Sequence, residues 1–339
     1  MSQREDRIRA LKKLGQYFRN ISEKDPLYNN FFKSIDLAGQ QNGWFEKKSC
    51  LHAFTSWGNA LKTDKIEKWI SRYDLEENLN PKTIALIPAG NIPLVGLHDL
   101  ICIWISGNIS LVKCSTKDSV LIPYIVSIDP LFQSLTSLAD GQLEDFDAII
   151  ATGSNNAARY FEYYFSKYPH IIRKNRNGIA VLDGSEAPEQ FEGLGKDILQ
   201  YYGLGCRNVS KLYLPLGFDL NLIFGGLYPH ADVIEMNKYA NNYDYNKAVY
   251  LMSDIDFMEN GFFMLREDKA ICSPIATCHY EFYDTLDLLK IHLKERQKNI
   301  QCIVSKTDID ESISFGQAQF PQLWDYADGV DTLKFIQSL

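Results

Sequence analysis

The stretch YYGLGCRNVSKLYLP, residues 201–215, sets Cys206 after glycines at 203 and 205 and before Arg207. A thiolate can accept an acyl group, small neighbours let a substrate approach, and an adjacent cation raises the thiolate fraction. The same types also describe an inert thiol packed in a turn, the usual state of a free cysteine. Three other short stretches carry groups of similar promise. PAGNIPL (88–94) holds Asn91 between Gly90 and Pro93. Its amide is either a neutral donor for an oxyanion or the cap of the helix that follows. ISLVKC (109–114) ends near Lys113, whose ammonium meets ribose hydroxyls, phosphate or simply solvent. TGSNNAAR (152–159) brings Thr152, Gly153 and Ser154 to a junction where amides and a hydroxyl either hold a phosphate or cap a helix.

The elements that must position these groups follow from the apolar spacing. Residues 1–80 read as helical, REDRIRALKKLGQYFRNI and TDKIEKWISRYDL showing apolar positions at helical intervals. After Pro81 the rhythm changes to alternating strand and helix. Strands are expected at 83–90, 109–114, 146–153 and 178–184, and helices at 93–106, 117–128 and 155–168, the first opening on Pro93. That alternation implies a parallel sheet covered on both faces, with ligands beyond the carboxyl ends of its strands. Further on, 188–203 and 284–297 read as helices, 210–215 and 300–305 as strands, and 261–283 holds two strand-like runs.

Composition narrows the classes. With 35 basic and 43 acidic residues the net charge is −8, and the basic clusters RIRALKK and KERQK read as solvated helix faces, so no nucleic-acid partner is expected. The opening MSQREDRIRALKK lacks the apolar stretch of a signal peptide, and the most apolar window, 92–107, is too short to span a bilayer. Seven cysteines without secretory features point to reduced thiols and a cytoplasmic setting. Their spacing forms no zinc motif, and no metal is expected. G-x-G-x-x-G is missing after every expected strand.

Taken in order, the Asn junction, the Lys strand end, the Thr-Gly-Ser turn and the Gly-flanked Cys resemble the aldehyde dehydrogenase superfamily. More narrowly, the chain is similar to the LuxC-type acyl-CoA reductases. PAGNIPLVGLHDLICIWISGNISLVKCSTKD (88–118), YGLGCRNVSKLYLP (202–215) and QFPQLWDYADGVDTLKFI (319–336) carry the resemblance, which covers the chain from about residue 80 onward. It implies an aldehyde-dehydrogenase-like α/β fold: a doubly wound parallel-sheet cofactor domain and a second α/β catalytic domain. It further implies that Asn91 is the oxyanion amide and Cys206 the acyl-accepting nucleophile. Lys113 would meet the adenosine ribose of the cofactor and Gly153 and Ser154 its pyrophosphate, with Ser115 and Thr152 among the cofactor-binding residues.

There are two departures from the superfamily pattern. Ser273-Pro274 occupies the segment where aldehyde dehydrogenases keep a carboxylate against the nicotinamide ribose. IRKNRNGIAVLD (172–183) takes the place of the LELGGK stretch whose Glu activates water, and it holds no acid before Asp183. Without a positioned base, water attacks a thioester slowly. The resulting expectation is that Cys206 is acylated by a fatty acyl-CoA or another acyl-thioester, and that NADPH reduces the thioester to an aldehyde. The alternatives are a cysteine-dependent acyl transferase or thioesterase without nicotinamide, and a non-catalytic binding protein; assembly with further copies of the chain is allowed. The expected organisation is a helical segment over 1–80, the cofactor domain over 81–184, the catalytic domain over 185–310 and a C-terminal segment over 311–339.

Overall fold

The computed structural model describes residues 3–75 and 78–339. Its contacts divide the chain into one unit of residues 1–175 with 321–339 and another of residues 176–320.

The first unit opens with α1 (Gln3–Arg19), α2 (Asn29–Gln41), α3 (Lys47–Ala60) and α4 (Thr63–Ile70). Leu11, Leu14 and Phe18 of α1 fall on one face and are buried, as the helical spacing requires. Phe18 and Phe31 both meet Phe54 edge-to-face, with centroids 4.9 and 4.8 Å apart. There follow β1 (Thr83–Ile87), α5 (Leu97–Ile105), β2 (Ile109–Val112), α6 (Leu121–Ser127), α7 (Pro130–Ser134), β3 (Thr136–Leu138), β4 (Ala148–Thr152), α8 (Asn155–Phe165) and β5 (His170–Arg173). The sheet runs β3-β2-β1-β4-β5 with every pair parallel. Ile84, Ala85 and Leu86 of β1 are all fully buried, because a strand inside a doubly wound sheet is covered on both faces. Winding reverses between β1 and β4, and the crevice for a ligand opens beyond their carboxyl ends.

The helix expected from Pro93 starts later. Leu94 (φ 66°) and Gly96 (φ 84°) take left-handed conformations, so 93–96 form turns and α5 begins at Leu97. The buried carboxylate of Asp118 accepts backbone hydrogen bonds from Leu94, Val120 and Leu121 and so holds this turn. Strands β3 and β5 were not among the expected elements.

The second unit comprises β6 (Asn177–Val181), α9 (Pro188–Leu199), β7 (Val209–Pro215), α10 (Asn221–Leu227), α11 (Asn237–Met252), β8 (Met258–Glu259), β9 (Met264–Glu267), β10 (Thr277–Tyr283), α12 (Leu286–Glu295) and β11 (Ile300–Ser305). Its sheet runs β11-β6-β7-β10-β9-β8, parallel apart from the β8–β9 edge. Ile179, Val181 and Tyr213 pack with Leu289 and Leu293 of α12 to form a core on one face. Here the structure corrects the sequence reading. The 178–184 strand, read as the last of the first sheet, is β6 and pairs with β7 and β11. The break therefore falls between 175 and 176 rather than at 184, and 311–339 is shared out, 311–320 going to the second unit.

The chain then returns to the first unit and closes with α13 (Thr332–Gln337). Trp69 Nε1 donates to the Tyr326 hydroxyl at 2.8 Å, and Tyr73 donates to Asp331 at 2.9 Å. Deeper in, Arg173 at the end of β5 pairs with Asp99 of α5 at 2.6 Å and donates to Thr332 at 2.9 Å, all three side chains being buried. Desolvation would lower the Arg173 pKa, but the Asp99 carboxylate more than offsets it and raises the pKa.

Candidate active site

In the first unit the crevice is built from the ends of three strands. Gly90, past β1, is a close-approach position: a Cβ there would lie 2.8 Å from Ser115 Oγ and 2.9 Å from Lys117 Cβ. The β1 and β2 loops can nest only because that position has no side chain. Asn42, at the end of α2, fastens them, its amide donating to Gly90 O at 3.1 Å and Lys117 O at 3.2 Å. Sequence reasoning missed Asn42, which lies in a segment read only as helical. Asn91 is exposed and does not cap α5, whose cap position is Gly96. Of its two readings, the capping one is thereby removed.

Lys113 follows β2 directly, its amide donating to Leu86 O at 2.9 Å. With Cys114 it lines a cavity of about 750 Å³ whose other walls include Tyr160, Phe161 and Tyr164 of α8. Ser115 turns the loop, its Oγ accepting from Lys117 N at 3.2 Å. At the β4 end Ser154 caps α8, accepting from Ala157 N at 3.2 Å. The Gly153 amide donates to Arg173 O at 3.3 Å as a rung of the β4–β5 ladder, so it is not the uncommitted phosphate donor of the sequence reading. Lys113 follows β2, Thr152 ends β4 with Gly153 and Ser154 just beyond it, and β1 lies between the two strands.

In the second unit the residues around Cys206 form a strained turn. After α9 come Tyr201 (φ 54°), Tyr202 (φ 60°) and Gly203 (φ 75°), three successive left-handed residues. Such a backbone costs about 1–2 kcal/mol for each residue carrying a Cβ, so the two tyrosines are held there by something outside themselves. Asn208 provides the hold. Its Nδ2 donates to the carbonyls of Asp197 (3.1 Å), Ile198 (3.1 Å) and Gln200 (2.7 Å), and its Oδ1 accepts from Gly205 N at 2.8 Å. Gly178 at the start of β6 lies against this turn, since a Cβ there would be 2.6 Å from Arg207 O and 2.8 Å from Asn208 O.

Cys206 is exposed at the tip of the turn, as only Cys272 otherwise is. Burial pushes the Cys50 thiol up to about 12 and those of Cys114 and Cys302 up to about 11. Cys102 and Cys278 are shifted upward as well, again chiefly by burial. Thiols so shifted are poor sources of thiolate. Arg207 does not project freely: its Nε donates to Ala318 O. Asp197 accepts from Gly316 N at 2.6 Å and Ala318 N at 2.9 Å, fixing the same 316–318 backbone. Burial raises the Asp197 carboxyl to about 6, partly opposed by those amides and by Arg207. Cys302 on β11 donates its thiol to Arg207 O at 3.6 Å. Asn208, Asp197 and Cys302 all escaped the sequence reading.

The two departures can also be placed. Ser273 donates to Thr277 O at 2.7 Å within the β9–β10 loop. In 172–182 Arg173 is committed to Asp99, Lys174 pairs with Glu162 at 2.7 Å, and no residue is acidic. No cluster of three or more His, Cys, Asp or Glu side chains suited to a metal exists among the described residues. Nor is any described helix long and apolar enough to cross a membrane.

The two-sheet architecture is that of the aldehyde dehydrogenases. An aldehyde dehydrogenase of Mycobacterium tuberculosis, solved with NAD+, superposes with a TM-score of 0.62 over 91% of this chain and 74% of its own, at 12% identity. Aldehyde dehydrogenase 21 of Physcomitrella patens gives 0.66 over 100% and 84%, at 10% identity. No family model matches the sequence. Among curated proteins the chain is similar to the long-chain acyl-protein thioester reductase of Aliivibrio fischeri, 21% identical over 229 residues, 60% of this chain and 47% of that protein. A second such reductase, from Photobacterium leiognathi, is 21% identical over 226 residues, 61% and 45%. The chain thus spans about half the length of these relatives. The LuxC-type resemblance and the superfamily fold read from the sequence are both borne out.

Proposed function

We propose that the protein is an acyl-thioester reductase in which Cys206 carries the acyl group. The observation that carries the proposal is the turn itself: Cys206 is exposed on a strained loop, whereas five of the other six thiols are wholly or partly buried. Supporting it are the names of the relatives and the order of motifs along the chain.

The Cys206 thiolate attacks the acyl carbonyl, a carbon–sulfur bond forms, and the donor's own carbon–sulfur bond breaks, so that the donor thiolate leaves and takes up a proton. The resemblance gives Asn91 and a backbone N–H near Cys206 the task of holding the developing oxyanion. With no acid in 172–182 to activate water, the thioester persists until it is reduced, and Cys206 regains its proton as the aldehyde departs. A nicotinamide dinucleotide, NADPH in this proposal, supplies the hydride when bound. In support, Lys113 and aromatic side chains of α8 line a cavity of about 750 Å³ in the first unit, a volume of dinucleotide scale, although Ser115 and Thr152 to Ser154 do not line it. Lys113, Ser115, Thr152 and Ser154 are the residues that would hold it, the Gly153 amide being bound to Arg173 O. The substrate is an acyl-CoA or, by the relatives' names, an acyl-protein thioester. A cytoplasmic setting belongs to the same proposal and is supported by seven free thiols.

The test is intact mass measurement after mixing the protein with acyl-CoAs of graded chain length, without cofactor. One acyl mass should be added to the wild type and none to Cys206→Ser. Acylation that survives in the variant and maps to another cysteine would overturn the assignment.

A further inference from the structure

We propose that Asn208 is the positioning residue of the nucleophile turn, setting the direction of both the Cys206 side chain and the Cys206 amide. The inference rests on the reading of Cys206 as nucleophile and assigns a role to a residue that takes no part in bond making.

A helix terminus leaves carbonyls without partners, and those of Asp197 and Ile198 are interior, both residues being 2% exposed or less. A single left-handed glycine commonly closes such an end through backbone bonds. Here two left-handed tyrosines come before the glycine, and the carbonyls turn instead to the Asn208 side chain. A third carbonyl, of Gln200, lies inside the kink. Only a carboxamide suits this place. It brings two N–H groups to the three carbonyls and still has an oxygen for the Gly205 amide; an aspartate donates nothing, and a serine has one hydrogen.

The same residue also closes the turn from the other side. Its backbone N–H donates to Gly205 O at 3.0 Å, so Gly205 is bound to Asn208 through both its amide and its carbonyl. A trans peptide is planar, and its C=O and N–H point in opposite directions. Fixing the Gly205 carbonyl toward Asn208 therefore directs the Cys206 N–H away from it. Cys206 and Arg207 are left as the tip of a loop pinned at both ends by one 2%-exposed side chain and its own backbone. Arg207 and Asp197 extend the hold to the 316–318 backbone.

The experiment is alkylation of the full chain with iodoacetamide across pH 6 to 9, with Cys206 and Cys272 followed separately by peptide mass. Cys272 is the other exposed thiol and serves as internal reference. In Asn208→Ala, shown to be folded by circular dichroism, Cys206 should react about tenfold more slowly or worse with a displaced pH profile, while Cys272 is unchanged. In a Tyr202→Gly background, where glycine holds φ near 60° without strain, the same substitution should cost much less. An unchanged Cys206 rate and profile in Asn208→Ala would overturn the proposal. So would an equal loss in both backgrounds, which would mean that the amide does not act through the left-handed turn. If Asn208→Ala alone does not fold, the Tyr202→Gly pair decides: wild-type-like Cys206 reactivity in the double variant supports the proposal, and a slow or unfolded double variant overturns it. Alkylation needs neither acyl donor nor cofactor, so failure of the reductase reading would leave this result standing.

Discussion

The crevice of the first unit lies at the carboxyl ends of β1, β2 and β4, whereas Cys206 sits at the amino end of β7. The crevice arises from topology: parallel strands whose winding reverses must leave a gap, and loops held by Gly90 and Asn42 shape it. The turn that carries the proposed nucleophile holds a local conflict, in which left-handed tyrosines lie beside a buried amide that binds the neighbouring carbonyls. The first kind of site draws on the sheet as well as on single positions such as Gly90 and Asn42. The second leans on Asn208, with Arg207 and Asp197 extending the hold, and should respond more sharply when Asn208 is changed.

The largest expected effect is at Cys206, the proposed nucleophile. Cys206→Ser should lower acylation by about a thousandfold or more while leaving the melting temperature near that of the wild type, because the side chain is exposed. Acylation rates followed by mass, beside a melting curve, check both halves. An inert variant that has also lost its fold would move Cys206 into the structural class.

The next effect concerns the frame of the crevice. Asp99→Ala leaves the Arg173 charge buried without its carboxylate, which should destabilise the protein by roughly 3–5 kcal/mol. Denaturant titration measures this directly. A change below about 1 kcal/mol, the scale of an exposed ion pair, would show that Arg173 finds another partner.

Lys113→Ala should be milder, weakening nucleotide binding about tenfold by loss of one charge-assisted contact. Cofactor-free acylation of Cys206 should remain within about twofold of wild type if the two sites are built as independently as the comparison holds. Calorimetric titration with NADPH, and separately with NADH, reads the first quantity and ranks the two nucleotides. Equal loss of binding and acylation would break the comparison.

These contrasts also show what could be read in advance. Alternating strands and helices are encoded by apolar periodicity, so β1, β2, β4 and the loops after them were placed closely. The start of α5 was not, because Leu94 and Gly96 take left-handed conformations that apolar periodicity does not record. Strand β6 was read correctly as a strand but assigned to the wrong sheet, since strand partners are set by long-range pairing that periodicity does not record. Cys206 could be singled out by its glycines and by family resemblance. Asn208 could not, because its value lies in three carbonyls that converge only after the left-handed turn has formed.

The smallest effect is one of pH. Burial raises the Asp197 carboxyl to about 6, above the ordinary value near 4. Between these values the native state keeps a proton that the unfolded chain has released, so this group's contribution to stability falls as pH rises from about 4 to about 6 and is level above. Asp197→Asn keeps one acceptor and has no proton to lose, so its melting temperature should lack this slope. Parallel slopes in the two proteins from pH 4.5 to 7 would show that Asp197 titrates normally.

The central claim, a thioester that waits for hydride instead of water, is tested most directly by the lifetime of acylated Cys206 in buffer without nucleotide and again with NADPH. The acyl mass should persist in the first case and disappear with release of aldehyde in the second. Free fatty acid appearing at the same rate in both would make the protein a thioesterase and contradict the account.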